Sequence, residues 1–588
     1  MTARRGLRGG TGHRRLPGPE MSALPPRYFS FRPKLFECLR DYTRARFFAD
    51  ILAGLIVGIV ALPLAIGFGI ASGVSPGTGI YTAIIGGFIV SALGGSRVQI
   101  GGPAGAFVGL VYAIILQYGL PNLLICTAMS GVFLFALGAA RLGTLIKFIP
   151  HPVTTGFTCG IAITIMLTQV KDFLGLQLGT VPAEFFEKIP ALVRALPSLS
   201  GPTVAVGLAS AALITLWPKA WARFVPGSIV AVILGTFTVR AFRLPVMTIT
   251  GRFGPEAFPN GLPALHPLVF DWSHLGSLVA PAIAITMMGA IESLLSAVVA
   301  DGMIDDRHDS NQELMAQGLA NFTVPFFGCI PVTGVLARTA TNVRNGATSP
   351  VAGMIHALTL LVVVLLAAPL AKFIPLTVLG AVLLVVAYRM GEWDEFLLLG
   401  RQAKSDAAVF LVTFTLTTCF DLTVAVKWGL ILAGALFIKR IADTTHVFAH
   451  DEEASLTQGH EAVADLPPGV LVFRVFGALL FGAADKLDSV MRRAGTDTKV
   501  VILHLAAVTA LDATALNALE TLHEKLRHHG RFLVLSGPHT QPYFLMDKSG
   551  FLGRVGTANV TGDLAAAVVR ARELIAAKKA GPLSRSPF

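Results

Sequence analysis

The chain has 588 residues, of which 53% are hydrophobic and only 14% charged, with a net charge of +12. A soluble globular protein carries roughly 25% charged residues, so a wholly water-soluble fold is excluded and lipid must be the solvent for much of the chain. The basic excess lies at the N-terminus and in short loops beside apolar runs, where the positive-inside rule accounts for it; no nucleic-acid motif accompanies it, and no nucleic-acid partner is expected.

Residues 1–47 read as a basic cytoplasmic segment. The first 20 are Arg/Gly/Pro-rich and lack the apolar core of a signal peptide, and Met21 is an alternative start to Met1. Residues 28–47 (YFSFRPKLFECLRDYTRARF) predict one amphipathic helix with Lys34, Arg40, Arg44 and Arg46 toward anionic headgroups, or a solvated basic lead-in.

From 48 to 440 the chain is a series of apolar segments, beginning near Ile51, Thr78, Ala104, Asn122, Thr154, Val204, Ile229, Leu278, Leu314, Leu336, Val351, Leu376, Ala407 and Leu422. A full membrane helix needs roughly 20 apolar residues, and several segments are shorter or broken by Gly and Pro. Two short ones occupy corresponding places, each third in its half. One opens with Gly101-Gly102-Pro103-Ala104-Gly105-Ala106, the other with Pro331-Val332-Thr333-Gly334 and runs through Arg338. Such pairs point to inverted repeats whose half-helices meet near the midplane. Helix N-termini present free N–H groups and partial positive charge, which suit an anion. Arg97, Arg141 and Lys439-Arg440 flank apolar ends, and an even number of spans puts both termini in the cytoplasm. In the first segment Pro63 predicts a break in the helix.

After Arg440 the composition changes. Residues 441–466 are polar and acidic and read as a linker; 467–578 alternate strand and helix patterns, the sign of a small α/β domain, and 579–588 are a tail. The predicted elements are strands Gly469–Val475, Lys499–Leu505 and Arg531–Ser536, with helices Ala484–Arg493, Thr514–His528 and Gly562–Ala577. The five cysteines are scattered, with no CxxC and no Cys/His cluster, so neither a disulfide framework nor a metal site is expected. No catalytic triad, Walker motif or cofactor site is recognisable. Neither an enzyme nor an ATP-driven pump is expected.

Four blocks in order resemble the SulP family of anion transporters (solute carrier family 26), ending in a STAS domain. They are DILAGLIVGIVALPLAIGFGIASGVSPGTGIYT, QIGGPAGAFV, MMGAIESLLSAVVADGM with RHDSNQELMAQGLANF, and GVLARTATNVRNGATSPVAG. The resemblance covers residues 30 to 578. It implies a polytopic helical fold of fourteen spans in two inverted seven-helix repeats, divided into core and gate, a homodimer, and an elevator-like movement of the core. Within the family the blocks look closest to bacterial carriers of four-carbon dicarboxylates such as succinate and fumarate, with sulfate, bicarbonate or halide as other cargoes.

The candidate substrate-binding residues are Phe68, Pro103, Ala104, Gly105, Ala106, Gly334, Val335, Leu336, Ala337 and Arg338, with Thr333 and Thr339 near them. Glu292 stands alone in an apolar stretch, where a carboxylate costs roughly 3 kcal/mol. It reads as a proton carrier or cation ligand, or alternatively as a structural carboxylate. Sodium-using members place a hydroxyl one turn later, here Ser296, and another where this chain has Leu336, so a proton is the preferred coupling ion and sodium the alternative. Relatives often carry a glutamine where Leu64 stands. Arg338 would add positive potential to the anion site, or neutralise Glu292. Asp301, Asn311, Glu313, Gln317 and Asn321 are expected to close helix ends as one network after the eighth segment. In the STAS domain Asp512 and Thr514 lie where anti-sigma antagonists carry a phosphorylatable hydroxyl; the alternative is a helix start. The expected activity is secondary active uptake of a small anion across a bacterial inner membrane. The alternatives are a passive anion channel, a nucleobase carrier on the same kind of fold, or a membrane-anchored STAS regulator. A cytoplasmic protein partner of that domain is also conceivable.

Overall fold

The computed structural model describes residues 31–579 except 145–149, 180, 183, 223–224, 255–260, 269–274, 399–400, 402, 421–423, 425–427, 430, 437, 440–445, 450–465, 481–486 and 488–496. It forms two compact units, which divide between Gly429 and Leu430.

The first unit is helical. In its N-terminal half the helices are α1 (Lys34–Arg40), α2 (Arg44–Ala71), α3 (Pro76–Tyr81), α4 (Gly87–Leu93), α5 (Phe107–Tyr118), α6 (Leu120–Ala139), α7 (His151–Leu174), α8 (Phe185–Ala195), α9 (Gly201–Leu216), α10 (Lys219–Ala222), α11 (Gly227–Ala241) and α12 (Ile249–Phe253). Then follow α13 (Leu275–Ile304), α14 (Ser310–Thr323), α15 (Leu336–Arg344), α16 (Val351–Ala371), α17 (Leu376–Met390), α18 (Asp394–Leu398) and α19 (Lys404–Cys419). Thirteen of the expected segments fall on helices; the one near Leu422 lies largely outside the described residues. Among the described residues, six helical stretches are long and apolar enough to cross a membrane, counting α3 with α4 (Pro76–Leu93) and α17 with α18 (Leu376–Leu398) as one each, and α8 with α9 form a pair bent by 114°. Among the shorter apolar helices are α5 and α11.

Two groups of helices pack within this unit. One joins α2, α4, α6 and α13 to α16; the other joins α7, α9, α11, α17 and α19. They meet where α2 and α5 face α7, and where α2 faces α11 and α17. Small residues set the closest approaches, as in membrane helix pairs generally. A Cβ on Gly131 of α6 would lie 2.7 Å from the Gly318 carbonyl of α14, and a Cβ on Gly318 would lie 2.7 Å from the Gly131 carbonyl.

Two expectations change. The lead-in is not one helix: it breaks at Asp41–Thr43, and Arg44 and Arg46 open the spanning helix α2, whose N-cap is the Thr43 side chain. Nor does Pro63 break α2, which runs 28 residues through it. Proline removes one hydrogen bond, and packing against neighbouring helices lets a membrane helix absorb that loss.

The second unit is a five-stranded sheet. Its strands are β3 (His446–Ala449), β4 (Val470–Leu479), β5 (Val500–Leu511), β6 (Phe532–Ser536) and β7 (Val560–Thr561), in that spatial order; β3 is antiparallel to β4 and the rest are parallel. The helices are α20 (Ala513–His528), α21 (Thr540–Lys548), α22 (Phe551–Val555) and α23 (Leu564–Lys579). Apolar side chains of α20, α21 and α22 cover one face and those of α23 the other. That two-sided burial explains the unbroken apolar run of β5. β4 and β5 each extend past their expected ends, and residues 446–449 of the expected linker pair with β4 as an edge strand. The expected helix Ala484–Arg493 lies mostly outside the described residues.

Candidate functional site

The two short segments cross. Strand β1 (Gly101–Gly102) pairs antiparallel with β2 (Thr333–Gly334), Gly101 opposite Gly334 and Gly102 opposite Thr333. The Val335 amide donates to the Ile100 carbonyl at 2.8 Å, which extends the ladder. Beyond the crossing β1 leads into α5 and β2 into α15, so the two half-helices start at one place and run apart. Their first N–H groups have no acceptor within their own helix.

The second half-helix begins at Leu336 with Val335 as its flanking residue, at the place expected. The first begins at Phe107, later than the expected Ala104. Pairing with β2 keeps Gly101 and Gly102 extended. A turn follows, in which the Phe107 amide donates to the Ala104 carbonyl and the Val108 amide to the Gly105 carbonyl, both at 3.1 Å. Pro103, Ala104, Gly105 and Ala106 therefore form the approach to α5, while Leu336, Ala337 and Arg338 are the first turn of α15.

The crossing is held from all sides. Asn321 of α14 brackets the Val332 peptide, its Nδ2 donating to the carbonyl at 2.7 Å and its Oδ1 accepting from the amide at 2.9 Å. Thr333 Oγ1 donates to the Gly289 carbonyl on α13 at 3.0 Å. Thr339 Oγ1 accepts from the Ile100 amide at 3.1 Å and lies 3.2 Å from Ser296 Oγ, with which it hydrogen-bonds. Gln99, only 3% exposed, donates through Nε2 to the Ser293 carbonyl and Oγ at 3.1 and 2.9 Å. It lies so close that a Cβ on Gly334 would collide with its Nε2. Glycine is thus required there by space.

Arg338 is 1% exposed. Its Nη2 donates to the Pro103 carbonyl at 3.2 Å, its Nη1 presses where a Cβ on Gly102 would stand, and its Nε and Nη1 have no hydrogen-bond partner. Glu292 sits on α13 one residue before Ser293, and its Oε2 is buried with no hydrogen-bond partner. One buried carboxylate oxygen and a buried guanidinium stand near the crossing with hydrogen-bonding capacity to spare. Phe68 on α2 and Ile165 on α7 pack against Gly105, whose added Cβ would lie 3.3 Å from the Phe68 ring and 2.6 Å from Ile165. Leu64 is buried in the same apolar cluster. This packing covers the approach to α5, whereas Ala337 in the first turn of α15 is exposed.

The expected five-residue network holds in part: Gln317 Nε2 donates to Glu313 Oε1 and Asn321 Nδ2 to the Gln317 carbonyl, both at 3.0 Å, while Asp301 and Asn311 make ties of their own. Asp301 accepts from the His308 amide at 3.0 Å and sits 2.7 Å from its ring. Asn311 accepts from the Gly143 amide, and Asn321 belongs to the crossing. Glu313 is fully buried and accepts from Gly95 N, Ser96 N, Gln317 Nε2 and Ser293 Oγ. The reason is helix geometry: Asp301 lies on α13, and Asn311 and Asn321 stand more than two turns apart on α14, so the five cannot share one end. Sequence reasoning missed Gln99 and Asp50. Asp50 is 0% exposed and accepts from Tyr42 Oη, Thr348 N and Ser349 Oγ at 2.7, 2.6 and 2.5 Å, tying α2 to the loop after α15. A lone aspartate at the head of an apolar run was the available signal.

In the second unit Asp512 caps α20, its Oδ1 accepting from the Ala515 amide at 2.7 Å. Thr514 is exposed in the first turn of that helix.

The comparisons with known proteins fit this architecture. Residues 47–413 match the model of the sulfate permease family and residues 461–566 that of the STAS domain. The chain is 36% identical over 518 residues to the "Putative sulfate transporter YvdB" of Bacillus subtilis, covering 88% of this chain and 96% of that one. It is 29% identical over 492 residues to the bicarbonate transporter BicA of Synechocystis, covering 80% and 84%. The solved transmembrane domain of a cyanobacterial BicA superposes with a TM-score of 0.59 at 29% identity, over 67% of this chain and 98% of that one. SLC26A9 superposes with a TM-score of 0.80 over 93% of each chain, at 18% identity, and speaks to the fold alone. None of these relatives is named for dicarboxylates, so the likeness to dicarboxylate carriers finds no support among them. With its crossed half-helices, its ordered sequence blocks and a C-terminal STAS domain, the chain belongs to the sulfate permease family of anion transporters.

Proposed function

We propose that this protein carries a small oxyanion, sulfate or bicarbonate in the first instance, across the bacterial inner membrane by secondary active uptake coupled to protons. The observation that carries the reading is the pairing of Gly101 with Gly334 and of Gly102 with Thr333, which sets two helix N-termini side by side in a buried place. Backbone N–H groups and the two dipole ends supply the anion's counter-charge, and Arg338 adds to it. Residues Pro103 to Ala106 and Gly334 to Ala337 line the anion's seat, and Phe68 closes it. Glu292 carries the coupling proton: a negative interior repels an entering anion, and a proton moving inward with it offsets that repulsion. The working unit is a homodimer with both termini in the cytoplasm. Movement of the α2/α13–α16 group against the α7/α17 group opens the seat to each side in turn.

A second reading, sodium-coupled bicarbonate uptake, is favoured by the relatives named bicarbonate transporters and by Ser296 one turn after Glu292. Against it, Leu336 stands where sodium-using members carry a hydroxyl. Uptake of labelled sulfate, bicarbonate and succinate into liposomes, with a pH gradient or a sodium gradient imposed separately, decides between them. The proton reading expects accumulation only with the pH gradient, and its loss in Glu292→Gln while anion counterflow persists. Accumulation that follows sodium alone, or a pH response unchanged in Glu292→Gln, overturns it.

A further inference from the structure

We infer that the junction of α1 and α2 holds the headgroup of a zwitterionic phospholipid bearing a primary ammonium, in a site separate from the anion seat. A cavity of about 190 Å³ opens there, lined by Glu37, Cys38, Asp41, Tyr42, Arg46, Arg97, Thr348 and Ser349. Liquid water takes about 30 Å³ per molecule, so the cavity has room for roughly six waters, enough for a phosphoethanolamine group. Its lining is polar and carries both signs of charge. Arg46 and Arg97 offer two guanidiniums, which suit a phosphodiester; Asp41 offers a carboxylate that suits an ammonium, with Glu37, paired to Lys34 at 3.1 Å, beside it. A purely anionic ligand would leave the Asp41 carboxylate facing like charge.

The surroundings select a lipid. Phe36, Leu39, Phe47, Phe48 and Leu52, on the same two helices, are all exposed. Phe48 and Leu52 are more than half exposed on a helix long and apolar enough to span the membrane. Acyl chains laid on that strip would put their headgroup at the head of α2, level with the cavity. The floor is rigid: Tyr42 and Ser349 both bond Asp50, which ties them to α2, and Arg97 Nε is anchored 3.0 Å from Asp306.

Native mass spectrometry of the full-length protein, stripped of lipid in detergent and titrated with phosphatidylethanolamine, phosphatidylcholine or phosphatidylglycerol, tests this. The expected result is tight retention of phosphatidylethanolamine, about tenfold over each of the other two. The double variant Arg46→Gln/Arg97→Gln, verified as folded by its melting curve, should bind it at least tenfold more weakly, whereas Arg40→Gln, outside the cavity, should not. Glu37→Gln/Asp41→Asn should keep phospholipid binding but lose the preference for the ethanolamine headgroup. Equal retention of all three lipids overturns the inference, as does undiminished binding in the double arginine variant. Soluble glycerophosphoethanolamine competing as well as the lipid would show a free phosphodiester site and overturn the lipid assignment.

Discussion

Replacing Gly334 by alanine probes the crossing at its tightest point. The new Cβ would fall on Gln99 Nε2 and lie 3.1 Å from Ser293 Oγ. Gln99 is walled in at 3% exposure, so it can yield only by giving up its two bonds to Ser293. Each bond contributes about 1 kcal/mol net, and a stranded buried polar group costs about 1–3 kcal/mol more. A loss of about 3–5 kcal/mol at the site follows, and each 1.4 kcal/mol is tenfold in an equilibrium. Anion uptake by Gly334→Ala in liposomes should therefore fall roughly a hundredfold to several thousandfold. Gly276→Ala on α13, where a Cβ meets nothing within 4 Å, is the control and should transport normally. Uptake by Gly334→Ala within twofold of the unaltered protein, with an unchanged melting temperature, would refute the reasoning.

Three further outcomes follow from other contacts. Asp50→Asn leaves one acceptor oxygen for donors from Tyr42, Thr348 and Ser349; charge-assisted bonds contribute about 1.5–3 kcal/mol each, so the melting temperature of the purified protein should drop, and drop further in Asp50→Ala. Arg338→Met deletes the Nη2 bond to the Pro103 carbonyl and takes the cation away from nearby Glu292, and removing one member of a buried charge pair costs about 3–5 kcal/mol. Its melting temperature should fall and anion uptake should drop at least tenfold; unaffected uptake would remove Arg338 from the site. Asp512→Ala deletes an N-cap worth about 1 kcal/mol and should lower the melting temperature of the STAS unit, whereas Thr514→Ala, at an exposed position, should not.

The crossing was legible because its two segments violate a rule. Apolar runs too short to span, opened by Gly and Pro at matching places, have no use in a membrane except to meet one another. The Val335 start could be read to the residue because α15 is the first turn the backbone can make after β2. The Phe107 start could not, since strand pairing across more than 200 residues keeps Gly101 and Gly102 extended and no local signal carries it. Pro63 misled for a related reason: proline propensity speaks of an isolated helix, and α2 is packed against α16 and α17. Asp50 and Gln99 were missed, and Glu313 was expected only in a local network, because each finds partners far along the chain, Asp50 at Thr348 and Glu313 at Gly95. In the α/β unit the strand patterns fixed the strand cores, but β5 runs on to Leu511, where Gln541 brackets the Leu511 amide and carbonyl and completes its end.

Hydrogen–deuterium exchange of the purified transporter, with and without a saturating concentration of the anion it takes up, tests the crossed half-helices most directly. Slowed exchange confined to the backbone amides of residues 104–106 and 336–338 is the predicted result. Protection that arises elsewhere in the helical unit, with those amides unchanged, would contradict it.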